Sequence, residues 1–113
     1  MTELTFTPSV REGAHVLILE GDLDTSNANS LEAAVAEQRD VPLIVDVSVL
    51  QFIDSSGLHA LLKTREAGGP AAIVRAPESN IARVLDVVRA NKVVPLFDDL
   101  AAALEHVKSS RAS

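Results

Sequence analysis

Between Val45 and Leu62 one stretch limits what this chain can fold into. An apolar run, Val45-Asp46-Val47, passes through Ser48-Val49-Leu50-Gln51-Phe52-Ile53 into Asp54-Ser55-Ser56-Gly57, and Leu58-His59-Ala60-Leu61-Leu62 follows at helical spacing. It reads as a buried strand, a short apolar loop and the first turn of a helix. Leu43–Val47 is almost unbroken in apolar residues, the pattern of a central strand covered on both faces. Leu50, Phe52 and Ile53 are expected to anchor the loop and hold the helix start at the end of the sheet. A helix start leaves its first N–H groups without intrahelical partners and carries partial positive charge. Asp54 is placed to cap it, and Ser55 and Ser56 then occupy first-turn positions where an added phosphate is tolerated. Locally, Asp-Ser-Ser is also what an ordinary helix cap looks like.

The remaining periodicities alternate between strand and helix. Leu4–Thr7 reads as an edge strand, because Pro8 cannot donate to a ladder. His15–Glu20 pairs with it across the turn Arg11-Glu12-Gly13; His15 reads as a surface or edge residue. Gly21–Asn27 reads as a polar loop, with Thr25 or Ser26 capping a helix that runs to about Gln38. Ala28, Leu31, Ala34 and Val35 share one face of that helix. The helix after Asp54 is expected to reach about Ala67, before Gly68-Gly69-Pro70. Its inward stripe is Leu58, Leu61, Leu62 and Arg65; Ser56, His59, Ala60, Lys63 and Ala67 face water or a partner. Ala71–Arg75 is a strand. Ile81, Val84, Leu85 and Val88 make a helical stripe that Asn91-Lys92 closes, and Val93–Phe97 is a strand near an edge. Asp98 and Asp99 cap a last helix with Leu100, Ala103, Leu104 and Val107 on one face. Residues 1–108 form one domain, with residues 109–113 a frayed tail. Strand–helix alternation after Pro42 implies parallel strands with crossover helices. The expected class is α/β: one mixed sheet of about five strands, a first hairpin with the rest mostly parallel, packed by four helices. The loops Gly21–Asn27 and Ser48–Ser56 both follow strands and can share the carboxyl-end rim where sites in such sheets occur.

Composition excludes several classes. Sixteen acidic against ten basic residues give a net charge of −6, the wrong sign for a nucleic-acid footprint. There is no cysteine, and His15, His59 and His106 have no ligand spacing, so neither metal nor other cofactor is expected. No run of apolar residues is long enough to span a bilayer, and the first residues lack the pattern of a signal peptide. A cytoplasmic protein without membrane insertion is expected. The Gly-x-Ser-x-Gly elbow of a serine hydrolase is missing, and His59 follows the serines on their own helix. No phosphate-binding Gly-x-x-x-x-Gly-Lys run exists either. A binding module is the expected class, not an enzyme.

Asp46-Val47-Ser48-Val49-Leu50-Gln51-Phe52-Ile53-Asp54-Ser55-Ser56-Gly57-Leu58 resembles the signature of the STAS family, the anti-sigma factor antagonists of bacteria. Gly21-Asp22-Leu23-Asp24 is similar to that family's Gly-Glu-Leu-Asp segment, and the resemblance extends over nearly the whole chain. It implies a STAS-like domain whose unmodified form binds an anti-sigma factor serine kinase and so releases the sigma factor. It further implies that this kinase phosphorylates the first serine, Ser55, and that a serine phosphatase reverses the step. Helical geometry alone leaves Ser55 and Ser56 open; the resemblance selects Ser55, with Ser56 secondary. The expected partner-binding set is Asp24, Thr25, Asp54, Ser56, Gly57, His59, Ala60 and Lys63. Asp24 reads equally as a loop-capping residue, and Gly57 as a point of close backbone approach. His59 stands where the family pattern has a small residue; it reads as solvated or as altering partner fit. The other reading is a STAS subunit without a switch, docking constitutively in a membrane lipid transporter complex.

Overall fold

The computed structural model describes residues 3–37 and 41–112. The chain opens with a hairpin, β1 (Thr5–Arg11) and β2 (Ala14–Leu23), joined by Glu12 and Gly13. Both turn residues have positive φ, 51° and 84°, which twists the tight connection in the sense the strands require. Then follow α1 (Ala28–Ala36), β3 (Leu43–Ile53), α2 (Ser55–Leu62), β4 (Ala71–Val74), α3 (Asn80–Val87), β5 (Leu96–Phe97) and α4 (Leu100–Ala112). The sheet order is β1-β2-β3-β4-β5; β1 and β2 are antiparallel and every later pair is parallel. This is the mixed five-stranded sheet with four helices that the alternation implied.

Strand alternation divides the core in two. Leu17 and Leu19 of β2 and Val45 and Val47 of β3 face Leu31, Val35, Leu61, Ile81 and Leu85 from α1, α2 and α3. Ala14, Val16, Ile44, Ala72 and Val74 face Ala103, Leu104 and Val107 of α4 on the other side. Leu43–Val45 is therefore apolar at every position because both faces of β3 are covered. Two further caps hold the helices: Ser79 Oγ accepts from Ala82 N at 3.1 Å, and Asp99 Oδ1 accepts from Ala102 N at 2.8 Å.

Several expected boundaries move. Both β2 and β3 run further than expected, to Leu23 and Ile53, and stay paired through two register shifts, Ile18/Glu20 and Gly21/Asp22. These irregularities break the two-residue period, so the sequence pattern there looked like loop. Leu50 and Ile53 are buried, but Phe52 is 47% exposed on the strand and anchors nothing. The regular helix α2 stops at Leu62; Lys63–Ala67 tightens into a 3-10 turn that ends at Gly68 with φ 95°. Thr64, fully buried, donates its hydroxyl to Leu61 O there. Only Leu96 and Phe97 of the expected Val93–Phe97 strand pair with β4, because a 3-10 turn over Ala90–Lys92 precedes them. The last helix continues to Ala112, into residues assigned to a tail, and the expected end of α1 near Gln38 lies outside the described residues.

Candidate functional site

Leu23 and Ile53 are register partners at the ends of two adjacent parallel strands. The segments that follow, Asp24–Asn27 and the first turn of α2, therefore emerge side by side at one rim of the sheet. Asp54 has extended backbone, φ −106° and ψ −176°, and is the N-cap of α2. Its Oδ1 accepts from Gly57 N at 2.8 Å. Its Oδ2 accepts from Thr25 N at 3.1 Å and lies 3.2 Å from Thr25 Oγ1. One carboxylate thus caps the helix and ties the other loop to it. The Gly57 N–H, above all, holds this carboxyl below the usual carboxylate range; partial burial works the other way, and the Thr25 N–H, Thr25 hydroxyl and Ser56 N–H reinforce the lowering.

Thr25 Oγ1 also lies 3.1 Å from Ser56 Oγ. A threonine hydroxyl carries one proton. Both contacts are satisfied when Thr25 donates to the Asp54 carboxylate and Ser56 donates to Thr25 Oγ1. The Ser56 hydroxyl is thereby engaged and its residue half-buried. Ser55 is exposed, and its hydroxyl makes no hydrogen bond among the described residues. The two serines, alike in sequence, differ in this way.

Gly57 is buried against the end of β2. A Cβ there would sit 2.5 Å from Leu23 O and 2.8 Å from Leu23 Cγ, while Leu23 O itself accepts from Asp54 N at 3.2 Å. The close-approach reading of this glycine is the one the structure supports, and it offers a partner no side chain. Ala60, expected on the outer stripe, is 1% exposed and belongs to the core. The reason is that α2 packs against α1 as well as β3, so more than one stripe is covered.

Asp24 is 8% exposed and turned into its own loop. Its Oδ1 accepts from Ser26 N at 2.9 Å and from the Ser26 hydroxyl, and its N–H donates to Asn27 Oδ1 at 2.9 Å. Asn27 Nδ2 in turn donates to Asp22 O at 2.8 Å. Neither Thr25 nor Ser26 caps α1; Asn27 occupies that position without a side-chain cap bond, its amide being used within the loop. Of the two readings of Asp24, these bonds fit the loop-capping one.

His59 is exposed on α2. Lys63, one turn further, donates to Glu32 Oε1 of α1 at 3.0 Å, and that bond holds its ammonium above the usual lysine range. Thr25, Ala28, Asn29, Glu32, Ser55, Ser56 and His59 line a shallow recess of about 400 Å³ between α1 and α2. Of the expected partner-binding residues, Thr25, Ser56 and His59 line it, Asp54 and Lys63 bond to its lining residues Thr25 and Glu32, and Asp24, Gly57 and Ala60 are buried. Asn29 and Glu32 belong to this rim and escaped the sequence reading. Nothing in their local pattern marks them, since the recess exists only once α1 lies beside α2.

No helix among the described residues is long and apolar enough to cross a membrane. The anti-sigma-F factor antagonist RsfB of Mycobacterium tuberculosis is 31% identical, over 96% of this chain and 93% of that protein. An anti-sigma factor antagonist from Mycobacterium paratuberculosis has a crystal structure that superposes with a TM-score of 0.81 at 26% identity, covering 94% of this chain and 95% of that one. The Bacillus cell fate determinant SpoIIAA in its phosphorylated form has a TM-score of 0.64 at 20% identity, over 91% and 99% of the two chains, a likeness of fold. Residues 5–103 match the STAS domain family. On that match and those relatives, the chain belongs to the STAS domain family.

Proposed function

We propose that this protein is an anti-sigma factor antagonist whose partner binding is switched off by phosphorylation of Ser55. The partner is an anti-sigma factor that is also a serine kinase; unmodified, the protein holds it and the sigma factor is released. A serine phosphatase resets the switch. The naming of its relatives supports the antagonist reading.

One observation carries the choice of serine. Ser55 opens α2 exposed and without a hydrogen-bonding partner among the described residues, whereas the Ser56 hydroxyl is held by Thr25. A kinase needs an accessible hydroxyl. The helix start accepts the resulting anion without loss of structure, since unsatisfied N–H groups and the helix dipole favour negative charge there. Modification adds about −1.5 to −2 charge beside Asp54. A docked partner would have to desolvate that charge at the interface, which costs more than its attraction returns unless cations are waiting to meet it. A loss of about 1.4 kcal/mol already means tenfold weaker binding.

The test is incubation with ATP and candidate anti-sigma factor kinases from the same host, followed by intact-mass measurement. One phosphate should be added to the protein and to Ser56→Ala, and none to Ser55→Ala. The Ser55→Asp protein should bind the kinase at least tenfold more weakly than the unmodified protein. Phosphate on Ser56 instead, or undiminished binding by Ser55→Asp, would overturn the reading.

A further inference from the structure

His59 sits one helical turn after Ser55, and both side chains border the same recess. Side chains on an α-helix lean toward its N-terminus, and residues four apart are neighbours on its surface. His59 therefore reaches back over the first turn, toward the position where a group carried by Ser55 would lie. An acidic group N-terminal to a basic one at this spacing is the favourable orientation.

The charges around this spot leave one candidate to meet an anion. From α1, Glu32 faces the recess, but its carboxylate is bound by Lys63 at 3.0 Å. Asp54 lies at the helix start and is saturated by Gly57 and Thr25. Thr25 and Asn29 are neutral. Lys63 interacts with Glu32 and Glu66 and is eight residues from Ser55, about 12 Å along the axis. His59 makes no hydrogen bond or ion pair among the described residues. It is the base of the recess that nothing else engages.

We propose that His59 is the counter-ion of phosphorylated Ser55, gripping the phosphate across one turn of α2 and making the charge of the modified rim depend on pH. This rests on Ser55 carrying a phosphate. A phosphoserine takes its second charge near pH 6, and histidine is the side chain that changes charge between pH 5 and 8. The two titrations overlap, so each partner shifts the other. Below the overlap the imidazolium offsets part of the phosphate; above it the rim carries the full added charge. The modified protein then discriminates against its partner more sharply at pH 8 than at pH 6.

The experiment avoids any kinase by installing phosphoserine at position 55 during synthesis. The phosphate is then titrated by phosphorus NMR between pH 5 and pH 8 in the otherwise unchanged protein, in the His59→Gln, His59→Lys and Lys63→Gln variants, and in the variant combining His59→Gln with Lys63→Gln. With His59 present, the phosphate midpoint should lie roughly 0.2–0.4 pH unit below that of His59→Gln, as expected when the phosphate gains one charge beside an i, i+4 cation. His59→Lys should restore the lowered midpoint, and adding His59→Gln to Lys63→Gln should raise the midpoint as much as it does in the parent. The His59 ring should titrate higher in the phosphoprotein than in the unmodified one. Equal midpoints with and without His59, or a phosphoprotein that unfolds, would overturn the proposal. A kinase that ignores Ser55 would instead defeat the switch reading while the coupling stood, so the two failures are separable.

Discussion

Thr25 donates to Asp54 across 29 residues of chain, and the pair decides how two loops meet. Replacing Thr25 by Val removes the hydroxyl but keeps the N–H contact; urea unfolding should register a loss of about 0.5–1 kcal/mol. The carboxyl of Asp54 is held below its unfolded range, so the unfolded chain binds that proton first as pH drops. Its contribution is complete above the ordinary carboxylate range and is lost as pH falls through the lowered folded value. Asp54→Ala should thus be clearly less stable than the parent at pH 7, and the gap should narrow in unfolding curves taken below about pH 3.5. Gly57→Ala should cost about 1–3 kcal/mol in the same assay, because the new Cβ would meet the Leu23 carbonyl, which is backbone and has little room to yield. At this scale the sequence disclosed chemistry better than position. Asp54 as a cap followed from residue type alone. That Asp24 turns inward and Ser56 is tied to Thr25 depended on partners several residues or a whole helix away, and no local pattern encodes them.

Of the helices, α2 carries the serine of the proposed switch, and its seat is Leu61, fully buried among α1, α2 and the sheet. Leu61→Ala should lower unfolding stability by roughly 2–5 kcal/mol. Lys63→Gln, by contrast, breaks an exposed ion pair between α1 and α2 and should leave the unfolding midpoint almost unmoved. Elements with a clean period were largely legible in advance: Ile81 and Leu85 of α3, and Ala103, Leu104 and Val107 of α4, face the core as their spacing implied, whereas Val88, assigned to the same α3 stripe, lies past the helix end and is 44% exposed. Where the period fails, the reading failed with it. The bulged ends of β2 and β3 looked like loops because two register shifts scramble inside and outside. The outer stripe of α2 was misjudged at Ala60 because one helical wheel cannot report that a second helix covers a second side. Small size at that position was the clue, since Ala permits the close approach that a longer side chain would prevent.

At the scale of the whole fold, the five strands, four helices and one antiparallel edge pair of the described residues followed from alternation, turn chemistry and the unbroken apolar run of β3. That the loops after β2 and β3 meet at one rim of the sheet followed from their both succeeding strands. The recess between α1 and α2 did not, because it belongs to packing. The body is acidic, with a net charge of −6, so a further anion at the rim works against any partner that has not evolved to meet it. On the proposed switch that anion leaves the fold intact, because Ser55 lies outside both cores. The direct test measures the affinity of the anti-sigma factor kinase for the unmodified and the Ser55-phosphorylated protein side by side, with thermal unfolding of both recorded. Phosphorylation should weaken binding at least tenfold while the unfolding midpoint stays within a few degrees. Equal affinity for the two forms, or weaker binding accompanied by collapse of the fold, would contradict a switch that acts by charge at an intact surface.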